Sequence, residues 1–321
     1  MQVTDLDSFP DACRGGVIAI GNFDGVHSGH RAVIGMALAI ARQAGVPAGV
    51  MTFEPHPRSV FRPDTPVFRL TPRAEKRRVL SACGLDFLLE MGFDRAFAAR
   101  TAADFVDTIL IGRLGISHVV TGFDFHFGKG REGTPDFLRR AAEERGFGAT
   151  IVPALASGDG VPVSSSAVRD LLEAGDVAAA AALLGYRWFV SGPVIHGEKR
   201  GRDLGYPTAN MRLGSDCGLA HGVYAVRMEV DGTLHDGVAS YGRRPQFDNG
   251  APLLETYLFD FSGDLYDRPV AVEFVAHIRP ELKFDSVEAL VARMDEDSRE
   301  ARAHLAAISG EAFGPDALSC G

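Results

Sequence analysis

Cysteine is scarce in this chain. Cys13, Cys83, Cys217 and Cys320 are scattered over 321 residues. None forms a CxxC pair, and no Cys/His spacing suits zinc, so the four read as ordinary reduced thiols of a cytoplasmic protein rather than a metal module or a disulfide framework. No apolar run approaches the roughly 18 residues of a membrane helix. The opening MQVTDLDSFPDAC is acidic and lacks the apolar stretch of a signal peptide. A basic excess is also missing: 33 Lys and Arg face 42 Asp and Glu, a net charge of -9, which argues against a nucleic-acid binder. No GxGxxG occurs, and Gly128-Lys129-Gly130 lacks both the glycine spacing and the following Ser/Thr of a P-loop. Glycine (37) and proline (17) are spread along the chain, with no low-complexity tract and no internal repeat.

What is present suits two domains of ordinary size, because 46% hydrophobic and 23% charged residues allow each half its own core. In the first half, Val17 to Ile20, Val46 to Phe53, Phe87 to Leu89, Val119-Val120 and Thr150 to Val152 read as buried strands. Helical spacing lies between them, from Val33 to Ala41, from about Pro72, and over 101–114 and 135–146. This alternation predicts a parallel α/β sheet with ligands at the carboxyl ends of its strands. Residues 164–185 read as two helices broken at Gly175, and the boundary is placed near Gly185-Tyr186, giving domains 1–185 and 186–321. Beyond it, WFVSGPVI, GVYAVRMEV, LHDGVASY, LLETYLFDF and VAVEFVAHI are short β-like runs. They predict a small antiparallel barrel, followed by a terminal helix over Ser286 to Ala306 with Leu290, Met294 and Leu305 on its apolar side.

GNFDGVHSGH (residues 21–30) lies where a strand meets a helix. Gly21 and Gly25 permit a tight turn, and the helix start supplies unpaired N–H groups and a favourable dipole for phosphate. His27 and His30 straddle the junction, where both imidazoles can donate to one phosphate group. That arrangement suits nucleotidyl transfer, in which preorganised donors and alignment supply the rate. VSSSAVRDLL (163–172), a helix start capped by Ser164 to Ser166 with Arg169 in its first turn, is either a simple cap with a solvated Arg169 or a hydroxyl-rich pyrophosphate site. TFEPHPRS, stiffened by its prolines, and TGFDFHFGKGREG follow two further strands.

In the second half, GPVIHGEKRGRDLGYPTANM joins a pliable basic loop to an extended Thr208-Ala209-Asn210. Residues two apart in a strand share a face, so PTAN is either a turn leading into a strand or a pair of oxygen ligands for magnesium. Glu255 shares a face with Tyr257, Phe259 and Phe261 and is either a paired structural charge or a base.

GNFDGVHSGH, TFEPHP, GFDFHFGKG and SSSAVR in the first half resemble the adenylyltransferase part of bacterial bifunctional riboflavin kinase/FMN adenylyltransferases (FAD synthetases). GRDLGYPTAN, GVYAV, GVASYGRRP, FDFSGDLY and IRPELKFDS resemble their kinase part. The resemblance runs from about Gly16 to His304. It implies a Rossmann-like nucleotidyltransferase α/β domain followed by a riboflavin kinase barrel, with ATP, riboflavin, FMN and FAD as substrates and products and Mg2+ as cofactor. It implies that His27 and His30 serve adenylyl transfer and that Glu255 takes the ribityl proton. ATP and its phosphates would be met by Gly21, Asn22, Phe23, Asp24, Gly25, Gly29, Ser164, Ser165, Ser166 and Arg169, and in the kinase by Lys199, Arg202, Gly205 and Pro207. Thr208 and Asn210 would hold the metal. Phe53, Pro55, His56, Pro57, Asp124, Phe125, Phe127 and Arg279 would shape the flavin sites. Departures from the family pattern stand at Ser166, Val168, Gln246 and Asp267; none removes a reacting group. Partners are then small molecules, with no nucleic acid and no membrane, and oligomeric state is left open. The rival readings are a chain keeping one of the two activities and a non-catalytic flavin or nucleotide sensor.

Overall fold

The computed structural model describes residues 1–156, 162–197, 205–243, 252–318 and 320. By internal packing the chain forms two units. The first comprises Met1–Val67, Thr71–Ser164 and Leu318–Gly321; the second comprises Phe68–Leu70 and Ser165–Ala317.

The first unit is built on six parallel strands: β1 (Gln2–Thr4), β2 (Val17–Ile20), β3 (Ala48–Glu54), β4 (Phe87–Gly92), β5 (His118–Gly122) and β6 (Gly148–Val152), in the order β1-β4-β3-β2-β5-β6. β2 (VIAI) is buried along its whole length, as a central parallel strand covered on both faces must be. Helix α1 (Ser28–Ala44) follows β2 and ends at Gly45 in the left-handed region (φ 66°). Helix α2 (Pro57–Phe61) follows β3, and α3 (Arg73–Ser81) precedes β4. Short helices α4 (Arg95–Ala98) and α5 (Ala102–Asp104) lead into a π-helical stretch, Phe105–Arg113. Helix α6 (Pro135–Arg145) then starts at a Thr134 cap with proline in its first turn. The strand order reverses between β2 and β5, and such a switch point opens a crevice at the carboxyl ends of the strands.

The second unit opens with α7 (Ser165–Glu173) and α8 (Val177–Leu184), separated at Gly175 (φ 83°). Arg169 Nε and Trp188 Nε1 donate to the carbonyls of Phe68 and Leu70 at 2.6 and 2.7 Å, which ties that excursion of the chain to this unit. Six antiparallel strands follow: β7 (Phe189–Pro193), β8 (Thr208–Arg212), β9 (Gly222–Val230), β10 (Thr233–Arg243), β11 (Pro252–Leu258) and β12 (Pro269–Arg279), in the order β7-β12-β9-β10-β11-β8. Ile195, just past β7, bridges to Asn210 of β8 and brings the two edges of the barrel together. Helix α9 (Val287–Ala306) lays Ala301 and Leu305 on an outer barrel face with Val223, Ala225, Val238 and Phe259. Leu290 and Met294, expected on the same side, are half-buried. A buried pair, Arg227 and Glu273, accepts the Gly314 N–H and donates to the Glu311 carbonyl, which holds the segment after α9.

Several expectations are corrected. Cys83 and Cys320 are not free thiols: they form a disulfide with a Cα–Cα separation of 4.7 Å, while Cys13 and Cys217 are free. A pair 237 positions apart is set by where the C-terminal tail docks, which spacing does not report. The 101–114 helix is a short α-turn continued by the π-helical stretch. Arg169 opens the second turn of α7 rather than lying in its first. β1, an edge strand of three residues, had no readable period.

Glu90 of β4 holds α3 in place. Arg73 donates to it at 2.8 and 2.6 Å and Arg77 at 2.8 and 2.5 Å. Burial pushes the Glu90 carboxyl up, but the two guanidiniums outweigh it and leave it below its usual value. A depressed carboxylate contributes stability that is complete above the unfolded value and is lost as pH falls through the folded one. Glu90→Gln is therefore expected to cost about 1–2 kcal/mol at neutral pH, since both guanidiniums reach solvent. Denaturant titrations from pH 7 to pH 3 should show this difference shrinking below pH 4.5.

Candidate active sites

In the first unit the switch point carries the GNFDG loop. Phe23 (φ 47°) and Val26 (φ 39°) adopt left-handed backbone that is unfavourable for bulky and β-branched residues, and Gly25 (φ 82°) takes it at little cost. Both strained side chains are buried, at 1% and 0% exposure. The loop is fixed from beneath. Asp24 Oδ1 accepts from Thr71 N at 3.0 Å, and Gly25 N donates to Thr71 Oγ1 at 2.8 Å. The Asn22 carbonyl accepts from Thr52 Oγ1 at 3.0 Å and from Lys76 Nζ at 2.9 Å.

His27 caps α1. Its Nδ1 accepts the His30 N–H at 3.2 Å, so in the neutral ring the proton sits on Nε2. The His27 and His30 rings stack at 3.7 Å between centroids and 16° between planes, and Phe23 meets His30 edge-on at 5.3 Å. The two imidazoles thus share one face at a helix start, beside a loop at the carboxyl end of β2. Gly29 leaves room for this stack, since a Cβ there would lie 3.2 Å from the His27 ring.

The carboxyl ends of β3 and β5 supply the walls. Pro55 follows a cis peptide, His56 caps α2 by accepting the Arg58 N–H at 3.2 Å, and Pro57 opens that helix. Phe53 is buried against Phe93 and Phe97, and Phe61, 59% exposed, rests on Phe93. The sequence reading missed Phe61, Phe93 and Phe97, because isolated phenylalanines in loops carry no period. After β5, Asp124 is exposed, and Phe125 stacks on Phe127, which is buried against Phe105 and Phe137. Ser164 precedes α7; Ser165 is its first residue and is half-buried, and Ser166 is exposed.

In the second unit, strand register assembles the polar groups. Asn210 of β8 lies opposite Glu255 of β11, which lies opposite Ser240 of β10; Thr208 lies opposite Tyr257. Directly opposed residues share a face, with Cβ atoms about 5 Å apart, so Thr208, Asn210 and Glu255 are neighbours on one surface. Asn210 is buried, and its Oδ1 has no hydrogen-bond partner among the described residues. Gly197 lies against it: a Cβ there would fall 1.9 Å from Asn210 Nδ2. Gly205 (φ 85°) and the exposed Pro207 lead into β8. Tyr206 donates to Asp295 of α9 and packs edge-on against Tyr257 at 4.8 Å, and its phenol is pushed up to about 12 by burial and by that carboxylate. Arg279 pairs with Asp297 of α9 at 2.6 Å. Lys199, Arg202 and Gln246 lie outside the described residues.

Asp267, where the family pattern has glycine, keeps the left-handed backbone (φ 62°) and donates its N–H to the Val194 carbonyl at 2.8 Å. Aspartate tolerates this region better than most residues, so the turn survives the change.

A parallel α/β sheet with paired imidazoles at its switch-point helix, followed by a six-stranded antiparallel barrel with a carboxylate facing amide and hydroxyl oxygens, defines a phosphotransferase with two separate centres. Comparison with known proteins agrees with that division: residues 10–167 match the FAD synthetase family and residues 184–305 the riboflavin kinase family. The chain is 42% identical over 297 residues to the bifunctional riboflavin kinase/FMN adenylyltransferase of Pseudomonas fluorescens, covering 92% of this chain and 94% of that one. It is 41% identical over 290 residues to the protein of the same name from Escherichia coli K12, covering 90% and 92%. A solved structure from Streptococcus pneumoniae, called a macrolide-efflux protein, superposes with a TM-score of 0.84 at 31% identity, covering 94% of this chain and 99% of that one. Its name concerns the streptococcal chain; among the described residues here no helix is long and apolar enough to cross a membrane. The chain belongs to the bifunctional riboflavin kinase/FMN adenylyltransferase family.

Replacing Asp267 by glycine should raise barrel stability by about 0.5–1 kcal/mol, and Asp267→Val should lower it by about 1–2 kcal/mol. Denaturant melts followed by Trp188 fluorescence would measure both, that residue being the chain's one tryptophan.

Proposed function

We propose that residues 186–321 transfer the γ-phosphate of ATP to riboflavin, giving FMN and ADP, and that residues 1–185 join FMN to the adenylyl group of a second ATP, giving FAD and pyrophosphate. The observation that carries the kinase half is the register that sets Glu255 opposite Asn210, with Thr208 on the same face. A structural ion pair would not need an amide oxygen buried without a partner beside the carboxylate.

In the kinase, Glu255 accepts the proton of the terminal ribityl hydroxyl as that oxygen attacks the γ-phosphorus. Thr208 and Asn210 fit a magnesium ion, because the orphaned Oδ1 and the neighbouring hydroxyl are hard oxygen donors. Bound there, the ion would neutralise the charge of the ATP phosphates. Lys199 and Arg202 are assigned to phosphate and Arg279 to the flavin pocket on family grounds.

In the adenylyltransferase, an FMN phosphate oxygen attacks the α-phosphorus and pyrophosphate leaves. The chain contributes donors rather than a nucleophile: His27 Nε2–H, His30, and the loop and helix-start N–H groups of 21–30 stabilise the charge on the transferring phosphate. Ser164, Ser165, Ser166 and Arg169 are assigned to the pyrophosphate. The aromatic walls at Phe53 and Phe125, with Pro55, His56, Pro57, Asp124 and Phe127, are assigned to the flavin. The acidic net charge supports a cytoplasmic enzyme without nucleic-acid or membrane partners.

Full-length protein incubated with ATP, magnesium and either riboflavin or FMN, with flavins separated by chromatography, tests the assignment. His30→Ala should lower FAD formation about 100-fold or more and leave FMN formation within twofold. Glu255→Ala should do the reverse. Gly197→Ala, which drives a methyl into Asn210, should also lower FMN formation alone. Parallel loss of both activities in any one variant would contradict two separate centres.

A further inference from the structure

Lys76 is a buried cation that nothing in the family assignment uses. It is 2% exposed on α3, although a lysine is almost never fully buried without a specific partner. Its ammonium donates to the Asn22 carbonyl at 2.9 Å and lies 3.3 Å from Thr52 Oγ1, which itself donates to the same carbonyl at 3.0 Å. Helix α3 is held at this distance by the Arg73 and Arg77 bonds to Glu90, on residues either side of Lys76.

A trans peptide points its C=O and N–H in opposite directions. The bond between Asn22 and Phe23 is trans, since Glu54–Pro55 is the cis bond recorded among the described residues. With its carbonyl drawn toward Lys76 and Thr52, the peptide turns the Phe23 N–H the other way. That N–H has no hydrogen-bond partner among the described residues, although Phe23 is 1% exposed. A buried donor without a partner costs about 1–3 kcal/mol, and Phe23 sits in strained left-handed backbone besides.

We infer that Lys76, with Thr52, is the positioning residue of the adenylyl site: it anchors the Asn22 carbonyl so that the Phe23 N–H is held toward the phosphates of ATP. Lys76 acts through the peptide and does not touch the nucleotide. The role is specific to ATP: of the flavin walls, Phe53 follows Thr52 on β3 and so faces the opposite side of the strand, and Phe125 lies beyond the end of β5. The inference rests on the reading of this unit as the FMN adenylyltransferase.

The test uses full-length Lys76→Met, Lys76→Arg and Thr52→Val, with FAD formation measured while ATP and FMN are varied separately and with riboflavin phosphorylation as the internal control. For Lys76→Met the KM for ATP should rise about tenfold and kcat should fall about tenfold, with the KM for FMN and the kinase rate within twofold. Lys76→Arg, which keeps a cation, should recover part of both losses. Thr52→Val should raise the KM for ATP about threefold with the KM for FMN unmoved. A lower kcat with both KM values unchanged would mean loss of folded molecules only and would overturn the inference, as would an equal rise in both KM values. If Lys76→Met does not fold, an unchanged KM for ATP in Thr52→Val overturns it. Failure of the underlying reading looks different: the unaltered protein would make no FAD from FMN and ATP.

Discussion

A loop that offers its backbone N–H groups to a phosphate cannot satisfy those groups within itself. On the proposed assignment, that constraint organises the α/β unit. Phe23 and Val26 stand in left-handed backbone, and the Phe23 N–H has no partner among the described residues. Each is unfavourable by itself, and each persists because the surroundings over-determine the loop. Asp24 and Thr71 hold one half of it, and Lys76 and Thr52 hold the other. The fixing groups come from β3 and from the start of α3, so the sheet and helix that frame the crevice also fix the conformation of the loop that lines it.

The barrel meets the same demand by other means. Its polar groups are side chains on regular strands, and their convergence follows from register alone: a shift of β11 by one residue would carry Glu255 to the other face and out of line with Asn210. No backbone strain is needed at Thr208, Asn210 or Glu255. The special requirement is space, which Gly197 supplies against the Asn210 amide. The nearby helix is tied down by Tyr206 on Asp295 and by Arg279 on Asp297, so α9 braces the surface that carries the polar row.

Local periodicity explains which parts were legible beforehand. VIAI and the run ending at Phe53 are buried parallel strands without alternation, the run ending at Val152 is a half-buried edge strand rather than the buried one expected, and GVYAVRMEV and VAVEFVAHI are barrel strands bounded by glycine and proline turns. GNFDGVHSGH was readable as a strand-to-helix turn because glycine, histidine and a helix start lie within ten residues. The illegible parts depend on contacts distant in sequence. Lys76 lies in RAEKRRVLS, where five of nine residues are charged and Glu75 is buried as well, so only its three- and four-residue spacing from Val79 and Leu80 marked it as inward-facing. The pairing of Cys83 with Cys320, and of Glu255 with Asn210, required the chain to be folded before either could be seen.

These two solutions distribute sensitivity differently along the chain. Where the donors are backbone groups, no substitution at the loop residue itself other than proline deletes them, so the vulnerable positions are the side chains that hold the loop: Thr52, Thr71 and Lys76, between 30 and 54 residues from the groups they fix. Where the donors and acceptors are side chains in register, the vulnerable positions are those residues themselves and the glycine that makes room for one of them. A chain with both centres therefore carries one site that can be weakened from a distance and one that is altered chiefly from within.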